Sequence, residues 1–405
     1  MVTNKEQNKL NVPHLRFPEF HGEWEEHGLS EYLDFKNGLN PDSKRFGKGI
    51  KFISVMDILN NPVITYDCIR ASVQATDAEM SSFSVENGDI LFQRSSETLE
   101  DVGRANVYID DKVAVFGGFV IRGKKKANYN PLFFRYLLSS PYARKRIIPM
   151  GAGAQHFNIG QEGLSKVLLN FPSIEEQTKI ASLLHLLDER IATQSKLIED
   201  LKKLKSAIIV EHYRQTEKNE VCVADLGNHF NVGNLAKDDL SETGKPCIIY
   251  GELFTTYGEI ISQIESHTNK TEGMILSKKG DLLFPSSTTV DAVSLIAPSV
   301  INVDNVILGG DMFGIHISHN YNTQYLSYYF NHIAKKQLAK FAKGSTIIHL
   351  HYTDIEKAKL LLPSLEEQNR MAKCLVALDK KVSVEQNLLS SLTCQKSYLL
   401  QQMFI

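Results

Sequence analysis

Arginine is absent between residues 221 and 361, although the whole chain carries 45 lysines and arginines. A nucleic-acid surface in that stretch would have to work with Lys, His, Ser, Thr, Asn or Gln, because bidentate guanine reading favours arginine. Long apolar runs are also missing. None reaches the roughly 18 residues that a membrane-spanning helix needs. The opening MVTNKEQNKLNVP has no apolar centre of a secretion signal, so a cytoplasmic chain is expected. Cysteine is sparse: Cys68, Cys222, Cys247, Cys374 and Cys394 show no CxxC spacing and are odd in number. Reduced thiols are expected, not a disulfide frame or a zinc site. A net charge of −2 excludes a general basic field, so any polyanion would have to meet a local patch.

Catalytic patterns are missing too. The nearest approaches to a methyl-donor loop and an amino-methylating motif are GAG at 151–153 and NPLF at 130–133. The first follows a predicted helix instead of a strand, and the second has Leu where a second proline belongs. TGKP at 243–246 lacks the leading glycine and the Ser/Thr of a phosphate loop. His349 and His351 alternate on a strand-like run and read as a core or surface pair, not a metal site. No catalytic residue, metal or cofactor is expected on this chain.

What the chain does contain is a repeat. FPSIEEQTKI at 171–180 returns as LPSLEEQNRM at 362–371, and VENGDILFQRSS at 85–96 parallels LSKKGDLLFPSS at 276–287. Gly117-Gly118 parallels Gly309-Gly310, and NPLFFRYLLSS at 130–140 parallels NTQYLSYYFNH at 322–332. Upstream of these segments the likeness fades. Each half is therefore a variable block followed by a tail that resembles the other tail.

The tails read as long helices. Pro172 and Pro363 stop what precedes them, Ser173 and Ser364 are good N-caps, and Glu176 and Glu367 sit where a capping box expects them. Apolar residues then step by four and three: Ile180, Leu184, Leu187, Ile191, Ile198 and Leu201 in the first tail. The second holds Met371, Leu375, Leu378, Val382, Leu389 and Leu392. Both seams are interrupted at matched places, by Gln194 and Glu385 and by Lys205 and Lys396. Matched polar residues in a seam specify a partner, so the two helices are expected to pack on each other as an antiparallel coiled coil.

The blocks mix strand-like runs with turn residues, and each closes with a helical segment. IKFISVMDI (50–58), GDILFQ (88–93) and KVAVFGGFVIR (112–122) read as strands in the first. CIIYGEL (247–253), GDLLFP (280–285) and GDMFGIHI (310–317) do so in the second. The expected class is α+β: two mixed α/β domains in pseudo-twofold tandem repeat, separated by two long helices. The expected order is a tail over 1–20, a domain over 21–171, a helix over 172–216, a second domain over 217–361 and a second helix over 362–405.

Residues 21–170 hold 18 basic and 18 acidic side chains, so a basic patch there must be local. Candidate phosphate and base contacts are Lys44, Arg45, Arg94, Ser95, Ser96, Arg104, Arg122, Lys124 and Lys125. The arginine-free block offers Ser286, Ser287, Thr288, Lys335, Lys336, Lys343 and Ser345, with adenine or thymine the expected bases.

Two variable blocks, each followed by a PSIEEQ- or PSLEEQ-containing helix with Leu-Asp at 187–188 and 378–379, resemble the specificity subunits of type I restriction–modification enzymes. The likeness covers about residues 20–405, and the GDILF and GDLLF segments are similar to that family's target-recognition domains. The resemblance implies that each block reads one half of a bipartite site in double-stranded DNA. It implies that the helices set the unread spacer and dock two methyltransferase subunits, with two motor-nuclease subunits joining them. S-adenosylmethionine, ATP and magnesium would then sit on those partners. The alternative is a sequence-specific DNA-binding module or regulator that acts without methyltransferase partners.

Overall fold

The computed structural model describes residues 11–405, so the first half of the expected 1–20 tail lies outside the described residues. The chain forms two compact units: Met1–Ser195 together with Asn387–Ile405, and Lys196–Gln386. Each long helix contributes to both. The central helix is Ile174–Gln215 and the C-terminal helix is Leu365–Gln402.

In the first unit, Leu33–Asn37, Val120–Lys125, Ile90–Gln93 and Ala105–Val107 form an antiparallel sheet in that order. A second sheet runs Ser72–Val73, Phe46–Ile53, Ala114–Phe116, Ser84–Val85, with its middle pair parallel. Ile90–Gln93 is buried at every position, as a central strand with both faces covered must be. Gly88 before it takes φ +93°, and buried Asp89 accepts the Glu86 and Lys125 N–H groups. The GD pair is thus a turn that only glycine enters freely, locked by a satisfied carboxylate.

The second unit repeats this plan with Gly227–Asn231, Met312–Ile317, Asp281–Pro285 and Ser299–Ile301. Lys245–Ile249 and Ile307–Gly309 supply its parallel pair. Gly280 again takes φ +93° and Asp281 accepts the Lys278 N–H. Three expected strands depart from their apolar runs: KVAVFGGFVIR breaks at Gly117-Gly118 into Ala114–Phe116 and Val120–Lys125, which lie in different sheets, and two others stop short. IKFISVMDI stops at Ile53 and CIIYGEL at Ile249, because short helices Val55–Asn60 and Glu252–Thr255 follow. Ser54 bonded to Asp57 starts the first of these, a local cap that outweighs β-propensity.

The repeated PSxEEQ stretch has a structural duty. Gln177 Nε2 donates to the Pro172 carbonyl at 3.1 Å, and its Oε1 accepts the Asn130 N–H at 3.1 Å. Asn130 in turn caps the helix Pro131–Ser139. Gln368 repeats the arrangement with Pro363 at 2.9 Å and Asn322, the cap of Thr323–Tyr329, at 3.0 Å. Both glutamines are buried. A single side chain therefore ties the long helix to the cap of a helix in its block.

Cores follow from these ties. Trp24, the chain's one tryptophan, packs edge-on against Phe133 and Phe404 and shares a cluster with Ile180, Leu184 and Leu399. In the second unit Tyr325, Leu326 and Tyr329 cluster with Ile209, Met371 and Leu375. Each such fully buried side chain contributes about 1.5–3 kcal/mol. Within the first unit Lys396 meets Asp188 at 2.5 Å; within the second Lys205 meets Asp379 at 2.7 Å and His212 meets Glu367 at 2.9 Å. Moving from 205 to 212 on one helix moves from 379 back to 367 on the other, so the segments run antiparallel. Ile180, Leu184, Leu187, Ile198, Met371, Leu375, Val382 and Leu392 are buried, and Ile191, Leu201, Leu378 and Leu389 half-buried.

Candidate nucleic-acid interface

Both units build one corner in the same way. In the first, the buried strand Ile90–Gln93 runs out at Arg94, whose N–H donates to the Phe119 carbonyl at 2.9 Å. Ser95–Ser96 then pairs with Phe157–Asn158, and Ala152 bridges Asn158. The loop between, residues 152–156, is exposed and turns at Gly153 with φ +145°. Arg94 Nη1 donates to the Gly118 carbonyl at 3.2 Å, and Ser95 Oγ bonds Asn158 Oδ1. Phe119 is 70% exposed beside them.

In the second unit the Ser286 N–H donates to the Asp311 carbonyl at 2.7 Å, Ser287–Thr288 pairs with Ile348–His349, and Lys343 bridges His349. Residues 343–347 form the exposed loop, turning at Gly344 with φ +116°. Asp311 is exposed and accepts the Ser287 hydroxyl at 2.8 Å. Two clefts of about 780 and 540 Å³ meet at Asp311 and His349. The larger is also lined by Tyr250, Tyr257, Thr288 and Lys335, the smaller by Lys343, His351 and Asp354.

The expected contact residues divide accordingly. Arg94, Ser95 and Ser96 share the first corner. Arg104 stands close by, its carbonyl accepting the Gln93 N–H at 2.7 Å and its side chain paired with Asp101 at 2.6 Å. Lys44 lies on an exposed turn. Arg45 is half-buried and already engaged within its unit: it donates to the Gln74 carbonyl and pairs with Glu79. That guanidinium holds the Glu79 carboxyl down at about 2.

In the first unit three residues correct the sequence reading. Arg122 is 5% exposed, stacks over Phe116 and donates to the Ser84 carbonyl, so it has no surface to offer a phosphate. Lys124 and Lys125 sit at the other end of their strand: Val120 faces Gln93, but Gly123 already faces Ile90. There Lys124 pairs with Glu86 at 3.1 Å and Lys125 donates to the Tyr129 carbonyl at 3.1 Å.

In the second unit Thr288, Lys343 and Ser345 share the corner, and Lys335 lines the larger cleft. Ser286 and Ser287 also correct the sequence reading: both are buried, and Ser287 serves to orient Asp311. Lys336 is exposed on the neighbouring helix, and Lys343 pairs with Asp354 at 2.6 Å. Phe119, Asn158, Asp311 and His349 were not singled out as contacts in the sequence. The matched Gly-Gly pairs were the available signal, since Phe119 and Asp311 directly follow them. Among the described residues, no group of three or more His, Cys, Asp or Glu side chains could hold a metal ion. No described helix is long and apolar enough to cross a membrane.

The chain matches the family described as the type I restriction modification DNA specificity domain twice, over residues 21–203 and 216–393. It is 21% identical over 412 residues to the type I restriction enzyme MjaVIII specificity subunit of Methanocaldococcus jannaschii, covering 94% of this chain and 91% of the relative. The S subunit of a type I restriction–modification system from M. genitalium superposes with a TM-score of 0.60 at 16% identity, covering 97% of this chain and 99% of the other. A chain from a study of type I R-M complex assembly and conformational transition gives 0.57 at 15% identity, covering 93% and 96%. These two likenesses concern the fold.

Proposed function

The chain belongs to the type I restriction–modification DNA specificity family, and from that premise we propose how it serves a methylating complex. It is the sequence-recognition subunit, with two tandem recognition domains suited to a bipartite site. The domains over 21–171 and 217–361 each read one half-site, and the helices over 172–216 and 362–405 set the unread spacer between them. Two methyltransferase subunits bind these helices and two motor-nuclease subunits join the assembly. S-adenosylmethionine, ATP and magnesium belong to those partners, so methyl transfer and cleavage are not this chain's chemistry. The complex works in the cytoplasm, where its DNA is.

One observation supports this reading above the others: the same exposed corner recurs in both units, at the exit of the same buried strand. A duplicated reader suits a split site, because two linked weak contacts gain affinity from each other. The central helix also carries exposed leucines, Leu183, Leu186, Leu197 and Leu204, which supply apolar area for a partner.

The test is co-expression with a methyltransferase subunit in a host without methylation, followed by sequencing of methylated genomic sites. A bipartite motif and a complex of one such chain with two partners are expected; a continuous motif, or methylation without this chain, overturns the reading. Inserting four residues into 190–205 adds about 6 Å of helix, near two base pairs of rise, and should lengthen or shorten the unread spacer.

A further inference from the structure

One corner that matches across the repeat carries a side-chain donor in the first unit and a side-chain acceptor in the second, each on a different member of the matched pair of positions. The Arg94 N–H bonds the Phe119 carbonyl and the Ser286 N–H bonds the Asp311 carbonyl. Each bond joins the end of the buried strand to the residue after a Gly-Gly pair. Arg94 therefore corresponds to Ser286, and Phe119 to Asp311. At one corner the first unit shows a guanidinium and a phenyl ring; the second shows hydroxyls and a carboxylate.

The surroundings say what each corner can accept. Arg94 spends one N–H group on the Gly118 carbonyl, which orients the guanidinium, and its other N–H groups have no partner among the described residues. Asp311 takes the Ser287 hydroxyl on Oδ2, which leaves Oδ1 without a hydrogen-bond partner among the described residues, on a residue that lines both clefts. A carboxylate beside DNA cannot serve a phosphate, because like charges about 4 Å apart repel by about 1 kcal/mol even in bulk water. It needs a donor. The only donors that bases present in the major groove are the amino groups of cytosine and adenine. Lys335 and Lys343, which line the same clefts, can hold the flanking backbone.

We propose that Arg94 and Asp311 are the base-reading residues of the two units, Arg94 taking a guanine and Asp311 an exocyclic amino group of cytosine or adenine. Phe119, beside Arg94, gives the first unit an apolar contact suited to a thymine methyl group. The arginine-free unit thus discriminates by accepting hydrogen bonds where the other donates them. This rests on the reading of the chain as a two-headed specificity subunit.

The experiment uses the full chain in complex with its methyltransferase partner and maps methylated sites for wild type, Asp311→Asn, Asp311→Ala and Arg94→Gln. Asp311→Ala is expected to relax one position of one half-site, with discrimination against the wrong base falling roughly 10-fold and the other half-site unchanged, whereas Asp311→Asn keeps an acceptor oxygen and should hold or shift that position toward adenine. The base lost from the motif reports whether the amino group is cytosine's or adenine's. Arg94→Gln should relax a guanine in the opposite half-site. An unchanged motif with Asp311→Ala or Arg94→Gln overturns the proposal, as does an even loss of methylation at all sites, which marks a structural or backbone role. If wild type itself shows no bipartite motif, the specificity-subunit reading fails. If wild type does and the variants match it, only the assignment of Arg94 and Asp311 fails.

Discussion

Lys205 on the central helix stands 2.7 Å from Asp379 on the C-terminal helix, and both oxygens of Glu259 close on the same ammonium at 3.0 Å. Burial works to raise the Glu259 carboxyl, but His332 and Lys205 overcome it and hold the group at about 2. Lys396 and Asp188 form the matching pair in the first unit, where Asp188 also accepts the Tyr136 hydroxyl at 2.9 Å. The matched lysines that interrupt both seams are thus each answered by an aspartate on the other helix.

Replacing Lys205 by Met should leave two carboxylates facing each other in a half-dry site. Fully buried charges stranded this way cost about 3–5 kcal/mol; Asp379 is partly open, so about 2–3 is expected. Denaturant unfolding of Lys205→Met against wild type measures it. A loss under about 1 kcal/mol would show the cluster to be a solvated surface network.

Acid should act on the same cluster. The folded carboxyl of Glu259 lies below its ordinary 4.5, so its contribution is fully present above that value and fades as pH falls toward about 2. Stability measured between those limits should drop in wild type and drop less in Glu259→Gln. Parallel acid curves for the two proteins would exclude Glu259 as a source of the acid sensitivity.

Gln368→Glu tests the tie between helix and block. The new carboxylate could still accept the Asn322 N–H but would confront the Pro363 carbonyl without a proton to donate. A loss of about 2–3 kcal/mol is expected near pH 8, shrinking near pH 5 as the acid form regains a donor. A pH-independent penalty contradicts the bridge.

On the central helix, Leu184 is fully buried and Leu186 is 63% exposed. Leu184→Ala should cost about 2–5 kcal/mol, and Leu186→Ala about 0.5 or less. Leu186→Asp should nonetheless weaken co-purification of the methyltransferase subunit, provided this face is where that subunit docks. Undiminished recovery of the partner moves the docking surface elsewhere.

Gly344 turns the exposed loop of the second unit. A Cβ there would lie 2.0 Å from the Ile347 carbonyl oxygen, at a φ of +116° that other residues rarely adopt. Gly344→Ala therefore strains the loop by about 1–3 kcal/mol and should weaken binding of the cognate half-site roughly tenfold. A DNA titration at fixed salt checks this, with Gly153→Ala as the counterpart in the first unit.

The features set by nearest neighbours could be read directly from the chain. Proline stops, serine caps, the four-and-three spacing of Leu184, Leu187, Leu375 and Leu378, and the GD turns all act within a few residues, so sequence determined the helices, the central strands and the duplication. Ser54, a cap inside an apolar run, is a local signal of the same kind, and it ends the strand at Ile53. Folding alone decided which charges face outward. Arg122 and Arg94 are both arginines at the ends of apolar runs, yet one is buried over Phe116 and the other is aimed from a strand end by the Gly118 carbonyl. Asp311 became a reader only because the chain brings it to Ser287, 24 residues away, and Lys205 a tie only because Asp379 lies opposite it. Such pairings depend on strand register and helix packing, which join residues far apart in sequence and leave little trace in any short segment of it.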